Sequence, residues 1–267
     1  MKPGSDPSLG ERRRILYGRR RGRRLRPGRE ALLADLLPRL AIDVPAEADV
    51  PLDPGALFAG GASDPVAGAG NAVGGFVPAD VWPEDVWLEI GFGAGEHLAA
   101  QALNHPEIGF IGCEPYINGV ASLLREIERH GLNNIRVLMD DARALIERLE
   151  PASIGRVDIL FPDPWPKKRH HKRRFILPAN LDALASVLKD EGEFRFASDD
   201  AGYVRWTLEH VLDHPDFVWL ARGPRSWRER PEESIPTRYE GKAADQGRVC
   251  VFLGFQRRRR PQARSSR

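Results

Sequence analysis

Short apolar runs alternate with amphipathic segments from Val86 onward, and this alternation limits the fold more than any other feature of the sequence. Short apolar runs bounded by turn residues are typical of buried strands, whereas apolar residues at helical spacing are typical of amphipathic helices. The runs predict strands at Val86–Ile90, Gly109–Glu114, Ile135–Met139, Val157–Phe161 and Glu193–Ser198, with further strands near Phe217–Leu220 and Val249–Phe255.

The segments between these runs predict helices at Glu96–Asn104, Tyr116–His130, Ala142–Leu149, Pro178–Leu188 and Ala201–Leu212. Strict alternation of strand and helix predicts an α/β fold with a doubly wound, mostly parallel sheet. Ligands of such sheets bind above the carboxyl ends of the strands. Candidate site residues are therefore expected directly after the strands.

Composition restricts the class of protein. With 267 residues, 42% hydrophobic and 29% charged, the chain fits a soluble protein with one large domain. It has no apolar run of about 18 residues that could span a membrane, and its first residues lack the apolar core of a signal peptide. Its two cysteines, Cys113 and Cys250, give neither a disulfide framework nor a metal spacing. We expect a cytoplasmic protein without a metal site or membrane contact.

The net charge of +2 conceals an uneven distribution. Residues 11–29 contain ten arginines and one acid, and the chain ends on Arg257 to Arg260, Arg264 and Arg267. The planar guanidinium group suits phosphate recognition. Clusters of cations in a chain whose other charges are balanced are typical of nucleic-acid binding. For the last ten residues, a disordered tail that only aids solubility is an equal alternative.

These patterns divide the chain into four parts. Residues 1–28 predict a basic, flexible N-terminal arm. Residues 29–79 predict a leucine-rich helix that ends near Pro38, and then a loop rich in Pro, Gly and Ala from Asp43 to Ala79. Residues 80–256 contain the predicted sheet, and residues 257–267 predict a basic C-terminal tail.

A glycine-rich turn, Glu89-Ile-Gly91-Phe-Gly93-Ala-Gly95-Glu96, follows the first predicted strand and opens a helix. Glycines let the backbone turn sharply and approach a ligand closely. The spacing Gly-x-Gly-x-Gly does not meet the dinucleotide fingerprint Gly-x-Gly-x-x-Gly. The carboxylate of Glu89 would repel a pyrophosphate, but it can hold the ammonium of S-adenosyl-L-methionine (SAM). The turn therefore favours SAM over NAD.

Two further acids follow the next two predicted strands. Glu114 lies 23 residues after Gly91, where an acid commonly accepts hydrogen bonds from both ribose hydroxyls. Asp141 follows the third strand, where its carboxylate can accept from the adenine amino group. The alternative for Glu114 is a surface acid before a turn, and for Asp141 a helix N-cap, with Asp140 able to exchange roles.

Residues 161–174, Phe-Pro-Asp-Pro-Trp-Pro-Lys-Lys-Arg-His-His-Lys-Arg-Arg, place a carboxylate between two prolines beside a cationic strip. Asp163 is thereby held in a fixed position, and Trp165 either stacks on a base or packs. His170 and His171 lack further ligands at metal spacing. The strip predicts contacts to RNA phosphates, which set position rather than sequence, by Lys167, Lys168, Arg169, Lys172, Arg173 and Arg174.

Together these motifs resemble the bacterial tRNA (guanine-N7)-methyltransferase family. The resemblance runs from about Val86 to Phe255, and residues 17–28 form a second, shorter segment that resembles the family. Its most specific parts are Phe161-Pro-Asp-Pro-Trp-Pro-Lys and Thr237-Arg-Tyr-Glu240. It implies a Rossmann-like class I methyltransferase sheet of about seven strands with the last one antiparallel. It also implies that SAM is the methyl donor and that the target is a guanine in the variable loop of tRNA, guanine 46.

The resemblance further implies roles for single residues. SAM would be held by the glycine-rich turn together with Glu89, Glu114, Asp141 and Asp163. Substrate contacts would come from Lys167, Asp199, Thr237, Arg238, Tyr239 and Glu240. Glu240 is the candidate reader of guanine, because a carboxylate can accept from N1–H and the exocyclic amine together. Asp199 has helix N-capping as its alternative, with Asp200 an equal competitor.

The chemistry agrees with these residue types. Guanine N7 carries a lone pair and no proton, so its methylation needs no general base. Proximity and orientation can supply about 7–11 kcal/mol of the barrier. Asp163 either stabilises the positive charge that develops on the ring or only orients SAM, and the sequence leaves both roles open.

The chain departs from the family pattern in three places and leaves alternatives open. Pro166 stands where the family usually has His, the Asp43–Ala79 loop is longer, and the tail after Phe255 extends past the usual end. Because Asp163-Pro-Trp resembles the Asp/Asn-Pro-Pro-aromatic motif, an exocyclic-amine RNA methyltransferase is the nearest rival. A non-catalytic RNA-binding subunit and a nicotinamide oxidoreductase are further alternatives. The oligomeric state stays open, a homo-oligomer included.

Overall fold

Seven strands form one sheet in the order β3-β2-β1-β4-β5-β7-β6 in the computed structural model, which describes residues 16–44, 50–59 and 83–261. Parallel pairing joins β1 to β2 and β4, β2 to β3, and β4 to β5, whereas β7 runs antiparallel to both β5 and β6. The predicted doubly wound, mostly parallel sheet is confirmed. The strands are β1 (Asp85–Ile90), β2 (Ile108–Cys113), β3 (Ile135–Leu138), β4 (Ile154–Leu160), β5 (Leu188–Ser198), β6 (Phe217–Trp219) and β7 (Val251–Arg257).

Helices cover both faces of the sheet. Successive residues of a strand point to opposite faces, and the neighbours Phe110 and Ile111 of β2 belong to two different clusters of buried apolar side chains. In the described residues, no helix is both long and apolar enough to cross a bilayer. The helices are α1 (Pro27–Asp35), α2 (Leu37–Leu40), α3 (Glu96–Asn104), α4 (Ile117–His130), α5 (Ala142–Ile146), α6 (Pro178–Val187), α7 (Ala201–Asp213), α8 (Arg225–Arg228) and α9 (Arg238–Asp245).

Helix α4 shows how the sequence builds these layers. Its apolar residues recur at helical spacing, and Val120, Leu124 and Ile127 are completely buried in one cluster. The helix ends at His130, because Gly131 adopts the left-handed conformation with φ of 63°. Its start is held close to the turn after β1, which fixes the site described below.

Element boundaries differ from the prediction mainly at β5. This strand begins at Leu188, because Leu188 pairs with Ile154 and Glu193 pairs with Arg156, so that the intervening residues bulge out of the ladder. The bulge carries the consecutive polar residues Lys189, Asp190 and Glu191, which do not show the apolar pattern used to predict strands.

The N-terminal part contains the predicted leucine-rich helix in two pieces. α1 ends before Leu36, and Pro38 lies in the first turn of α2, where a missing N–H costs little. The predicted loop after it is partly structured, because Arg136 Nε donates to the Leu57 carbonyl at 2.8 Å and its guanidinium lies 4.9 Å from the Phe58 ring centroid. The remainder of that loop, apart from residues 43–44 and 50–59, lies outside the described residues.

The described part of the predicted flexible arm, residues 16–26, has no helix or strand, but it lies against the domain. The Gly22 N–H donates to Asn118 Oδ1 at 2.9 Å, and Asn118 Nδ2 donates to the Arg23 carbonyl at 2.8 Å. The first helix already starts at Pro27, inside the predicted arm. These contacts were not expected from an arginine-rich sequence.

The start of the predicted basic tail is corrected by the structure. Arg257 is the last residue of β7 and is 6% exposed, and its Nη1 lies 3.1 Å from Asp190 Oδ1. Arg260 Nη1 lies 2.6 Å from the same carboxylate oxygen, and its Nη2 donates to the Leu188 carbonyl at 2.9 Å. These arginines bind the end of α6 and the bulged start of β5. Only the last six residues, which lie outside the described residues, stay a predicted tail.

We expect Gly119→Ala to destabilise the protein although Ala favours helix by about 1 kcal/mol over Gly. A Cβ at Gly119 in α4 would lie 2.0 Å from the Gly93 carbonyl oxygen, so the helix or the turn must move. Gly241→Ala in α9 is the matched control, because a Cβ there meets nothing within 4 Å. Thermal unfolding should show a lower Tm for the first variant and an equal or higher Tm for the second. Equal Tm values for the two variants would contradict the steric argument.

Candidate active site

A cavity of about 680 Å³ opens at the carboxyl ends of β1 to β4, where the strand order reverses. Its walls come from the turns after these strands, from α9 and from the N-terminal arm. The parallel topology brings these separate segments to one edge of the sheet. The lining includes the predicted site residues Gly91, Gly93, Glu114, Asp141, Asp163, Arg173, Arg174, Arg238 and Tyr239.

The glycines of the first turn are required by backbone conformation and by space. Gly91, Gly93 and Gly95 have φ values of 75°, 61° and 81°, a region in which other residues are uncommon. A Cβ at Gly95 would lie 2.7 Å from the Leu123 side chain, and one at Gly93 would lie 3.0 Å from the Tyr239 hydroxyl. The turn therefore presents backbone rather than side chains to the cavity.

Glu89 lies beside this turn, but a buried histidine engages it. Both Glu89 and His97 are 4% exposed, and Glu89 Oε2 lies 2.8 Å from His97 Nδ1. Burial acts to lower the pKa of His97, but the Glu89 carboxylate and its hydrogen bond together raise that pKa above 6.5. Within the described part of the chain, Glu89 is not in the cavity lining. Its predicted contact with the SAM ammonium stays a prediction.

Glu114 lines the cavity and is 8% exposed. Its Oε2 accepts from the Gly93 N–H and its Oε1 from the Tyr116 N–H, both at 2.9 Å. Burial raises the pKa of Glu114, and the two N–H donors oppose that shift. The carboxylate therefore joins the turn after β1 to the start of α4, and its predicted ribose contact stays a prediction.

Asp141 both lines the cavity and caps a helix. Its Oδ1 accepts from the Arg143 N–H at the start of α5 at 3.0 Å, and its Oδ2 lies 2.5 Å from Arg143 Nη2. Asp140 beside it pairs with Arg20 of the arm at 2.8 Å. The capping alternative is therefore correct for Asp141, and the adenine contact stays a prediction.

The loop after β4, which carries Asp163, contains two residues in a strained conformation. Phe161 and Trp165 have φ values of 51° and 44°, which costs on the order of 1–3 kcal/mol for each bulky residue. The Arg174 Nε donates to the Pro164 carbonyl at 2.9 Å and so fixes the loop from inside. Asp163 itself is exposed at the cavity, and none of the described side chains donates to its carboxylate.

The predicted cationic strip divides into exposed and packed members. Arg173 lies over the rings of Tyr17 and Trp165, at 4.7 and 4.8 Å from their centroids. Its Nε is buried and has no hydrogen-bond partner among the described residues. An unpaired buried donor at a cavity wall favours an anionic or carbonyl ligand. The exposed members are Lys167, Lys168, Arg169 and Lys172.

The burial of Arg174 contradicts the prediction that this residue contacts RNA. The residue is 3% exposed, and its guanidinium lies 4.8 Å from the Tyr203 ring centroid. Burial raises the pKa of Tyr203 to about 12, so that the ring carries a neutral hydroxyl, which accepts from the Phe175 N–H at 3.0 Å. Arg174 therefore supports the loop, and its guanidinium is too buried for direct contact with a phosphate group in solution.

Thr237 and Glu240 form a capping box at the start of α9. Thr237 Oγ1 accepts from the Glu240 N–H at 3.3 Å, and Glu240 Oε1 accepts from the Thr237 N–H at 3.4 Å. Glu240 Oε2 lies 2.8 Å from Arg230 Nη1. Tyr239, by contrast, reaches the cavity and stacks on Phe161 with ring centroids 6.2 Å apart. The guanine contact of Glu240 stays a prediction.

Asp199 is not brought to the cavity. Its Oδ2 lies 2.9 Å from Arg248 Nη1, and it lines a separate groove beside α7. The helix N-cap is Asp200, which accepts from the Tyr203 N–H at 2.7 Å. The predicted substrate contact of Asp199 gains no support from this placement.

One wall of the cavity was not predicted. Leu16, Tyr17, Gly18 and Arg19 of the arm contribute to the lining. Tyr17 packs edge-on against Trp165, with ring centroids 6.4 Å apart. The available signal was the motif at residues 17–28, whose arginines indicate RNA binding but do not indicate a cavity wall.

Comparison with known proteins agrees with this geometry. Residues 83–253 match the protein family described as putative methyltransferase. The tRNA (guanine-N(7)-)-methyltransferase of Rhodospirillum rubrum is 47% identical over 248 residues, which cover 92% of this chain and 88% of the relative. The enzyme of the same name from Nitrobacter winogradskyi is 47% identical over 243 residues, which cover 91% and 86%.

The chain belongs to the tRNA (guanine-N7-)-methyltransferase family. The resemblance seen in the sequence is thereby confirmed. Among solved structures, the 16S rRNA methyltransferase KamB aligns with a TM-score of 0.47 at 18% identity, covering 66% of this chain and 89% of that chain. A likeness at that distance adds nothing about function.

Membership in the tRNA (guanine-N7-)-methyltransferase family implies the use of SAM, and the cavity fits it. The left-handed Gly91 and Gly93 line the cavity and leave room for a ligand against the backbone, and Glu114 stands where a ribose acceptor is expected. Arg173 supplies a buried donor without a partner among the described residues. No group of three or more His, Cys, Asp or Glu side chains in the described residues is arranged to hold a metal.

We expect His97→Gln to lower the Tm more at about pH 6 than at about pH 9. The raised pKa of His97 means that the pair with Glu89 stabilises the folded state fully below 6.5 and that this contribution is lost as pH rises through the folded-state pKa. Gln keeps a hydrogen-bond donor but carries no charge. Thermal unfolding across this range measures the difference, and a Tm loss independent of pH would contradict the ion pair.

His105→Gln is the matched control. The His105 Nδ1 lies 3.5 Å from Oε1 of Glu107, whose side chain is 47% exposed. An exposed pair contributes little, so this variant should change the Tm only slightly at either pH.

Proposed function

We propose that the protein transfers the methyl group of SAM to N7 of a guanine in tRNA, guanine 46 of the variable loop. The observation that carries the proposal is the placement of Asp163. It lies exposed at the cavity, in a loop held in a strained conformation, directly before the exposed lysines of the strip. The names of the relatives support tRNA as the substrate.

SAM would be held by the backbone of the turn at Gly91, Gly93 and Gly95 and by the carboxylates of Glu114 and Asp141. When bound, SAM supplies an electrophilic methyl group on a sulfonium sulfur. The protein's own work is to fix that donor and the acceptor in line, which can supply about 7–11 kcal/mol.

Residues of the cavity wall would act on the target base. Guanine N7 has a lone pair and no proton, so no residue needs to remove one. Asp163 would stabilise the positive charge that the ring gains, since a fixed carboxylate interacts with it most strongly in the transition state. The stacked rings of Phe161 and Tyr239 would exclude water from one side of the reaction space.

The guanine contact of Glu240 requires an exchange of partners. In the free protein its carboxylate is held by Arg230 and by the Thr237 N–H. Guanine N1–H and the exocyclic amine are also N–H donors, although neutral ones, and they would replace these two contacts. Arg238 and Tyr239 need no such exchange, because both line the cavity already.

RNA binding would use the exposed cations Lys167, Lys168, Arg169 and Lys172. Such contacts go to phosphates and carry no sequence information. Selectivity for tRNA would then come from its shape and from one accessible base.

We expect labelled SAM to place its label in 7-methylguanosine of bulk unmodified tRNA, and Asp163→Ala to lower the rate by about 100-fold or more. Asp245→Ala is the control, because Asp245 is an exposed acid of α9 outside the cavity lining. Nucleoside analysis of the product identifies the labelled position.

Label in an N2- or N6-methylated nucleoside would favour the exocyclic-amine methyltransferase instead. An Asp163→Ala variant as active as the control would remove Asp163 from the reaction.

We expect the substitution of Lys167, Lys168 and Arg169 by Glu to weaken tRNA binding and flatten its salt dependence. The slope of log K against log salt should fall by roughly 0.7–0.9 for each phosphate that the variant no longer neutralises. Filter binding across a salt series measures it. Replacing the exposed Arg205, Arg222 and Arg228 by Glu makes the same change in net charge elsewhere. An equal decrease of slope in this control would point to net charge rather than to the strip.

A further inference from the structure

Helix α3 follows the glycine-rich turn directly, and two of its side chains bind a second segment of the site, residues 229–240. α3 starts at Glu96, directly after Gly95 of the turn. The second segment, residues 229–240, is irregular up to Pro236 and then opens α9 with the capping box and Tyr239. Because residues 229–236 lack a helical or strand ladder, other contacts must fix their conformation.

Gln101 of α3 makes the central contact. The residue is 1% exposed, and its Nε2 donates to the carbonyl oxygen of Glu233 at 2.7 Å. Its Oε1 accepts from Arg156 Nη2, also at 2.7 Å. Both ends of the amide are thus engaged, so the orientation of the side chain is determined.

Arg156 holds the Gln101 side chain in a fixed position. It is 4% exposed on β4, and its Nε donates to Asp158 Oδ2 at 2.9 Å. Its guanidinium lies 3.5 Å from the Trp87 ring centroid of β1. Through its two hydrogen bonds, Gln101 therefore connects Arg156 of the central strand β4 to the backbone of residues 229–240.

Two ionic contacts support this anchor. Arg195 Nη1 of β5 lies 2.6 Å from Glu233 Oε1. Glu96 Oε1 accepts from the Arg238 N–H at 3.3 Å. The segment is thus held at its middle and at the start of α9, and the second contact comes from the residue that follows the glycine-rich turn.

We propose that Gln101 is a positioning residue for the tRNA side of the reaction. It fixes residues 229–240 so that Arg238 and Tyr239 form the cavity wall next to the cofactor turn. This inference rests on the proposed function, because Arg238, Tyr239 and Glu240 are assigned to the target guanine there. Gln101 itself touches no substrate, and it acts through the Glu233 backbone.

Gln101→Glu separates the two contacts of the amide. A carboxylate still accepts from Arg156, but it cannot donate to the Glu233 carbonyl and it repels that oxygen. We expect the KM for tRNA to rise about tenfold, while the Kd for SAM stays within about twofold. Amide hydrogen exchange of residues 229–240 should become about tenfold faster. Kinetics with tRNA, calorimetry with SAM and exchange with mass spectrometry measure the three quantities.

Asn134→Asp is the matched control. Asn134 Nδ2 donates to three carbonyls, those of Ala102, His105 and Ile108, at the far end of α3. The same change of amide to carboxylate should lower the Tm but leave the KM for tRNA and the exchange of residues 229–240 unchanged. Should Gln101→Glu not fold, Glu233→Gln removes the charge that faces Arg195 on a side chain 42% exposed, and it should shift KM and exchange in the same direction.

The outcomes separate this inference from the proposed function. Absence of methyl transfer to guanine N7 by the unaltered protein would overturn the proposed function, whereas the exchange measurement tests the positioning independently of activity. Unchanged exchange of residues 229–240 in both Gln101→Glu and Glu233→Gln would overturn the inference. It would also be overturned by an equal rise of the KM for tRNA in Asn134→Asp, or by a parallel loss of SAM affinity in Gln101→Glu.

Discussion

The buried carboxylate of Glu114 is the interaction on which the rest of the cavity depends. Parallel strands deliver their ends to one edge of the sheet, but they do not fix the loops that follow. Glu114 does so by accepting one N–H from the turn after β1 and one from the start of α4. Gly119 then permits α4 to approach the Gly93 carbonyl at a distance that excludes any Cβ. Tyr239 of α9 lies close to Gly93, where a Cβ would be 3.0 Å from the Tyr239 hydroxyl. The turn after β1 therefore also contacts the cavity wall that α9 forms.

The sheet could be predicted from the sequence because its signal is local. All six residues of Ile108–Cys113 are buried, as a strand covered on both faces requires, and polar turns delimit such runs. The arginine-rich ends could not be predicted in this way. Arg260 pairs with Asp190 and donates to the Leu188 carbonyl of β5, and the Asn118 side chain binds backbone groups of the arm. A basic run that docks on backbone groups has the same composition as one that stays in solvent, so composition does not separate the two.

For the site, the sequence predicted residue types and positions better than partners. Glu114, Asp141 and Asp163 line the cavity because topology requires strand ends to meet. The partners His97 of Glu89 and Arg248 of Asp199 were not predictable, since each depends on how helices and loops pack in three dimensions. The capping box of Thr237 and Glu240 was not predicted either, although the sequence carries its signal. Its Thr-x-x-Glu spacing is a local signature of a helix start, and the same four residues also carry the family motif.

The left-handed conformations of Phe161 and Trp165 bear on the choice of residue at each position. Glycine at either position would relieve the backbone strain, but it would increase the conformational freedom of the unfolded chain and remove the ring that stacks on Tyr239 or the ring that packs on Tyr17. The conformational preference of the backbone and the formation of the cavity wall therefore act in opposite directions at these two positions. The aromatic residues there are explained by the wall that they form, not by the backbone conformation that they adopt.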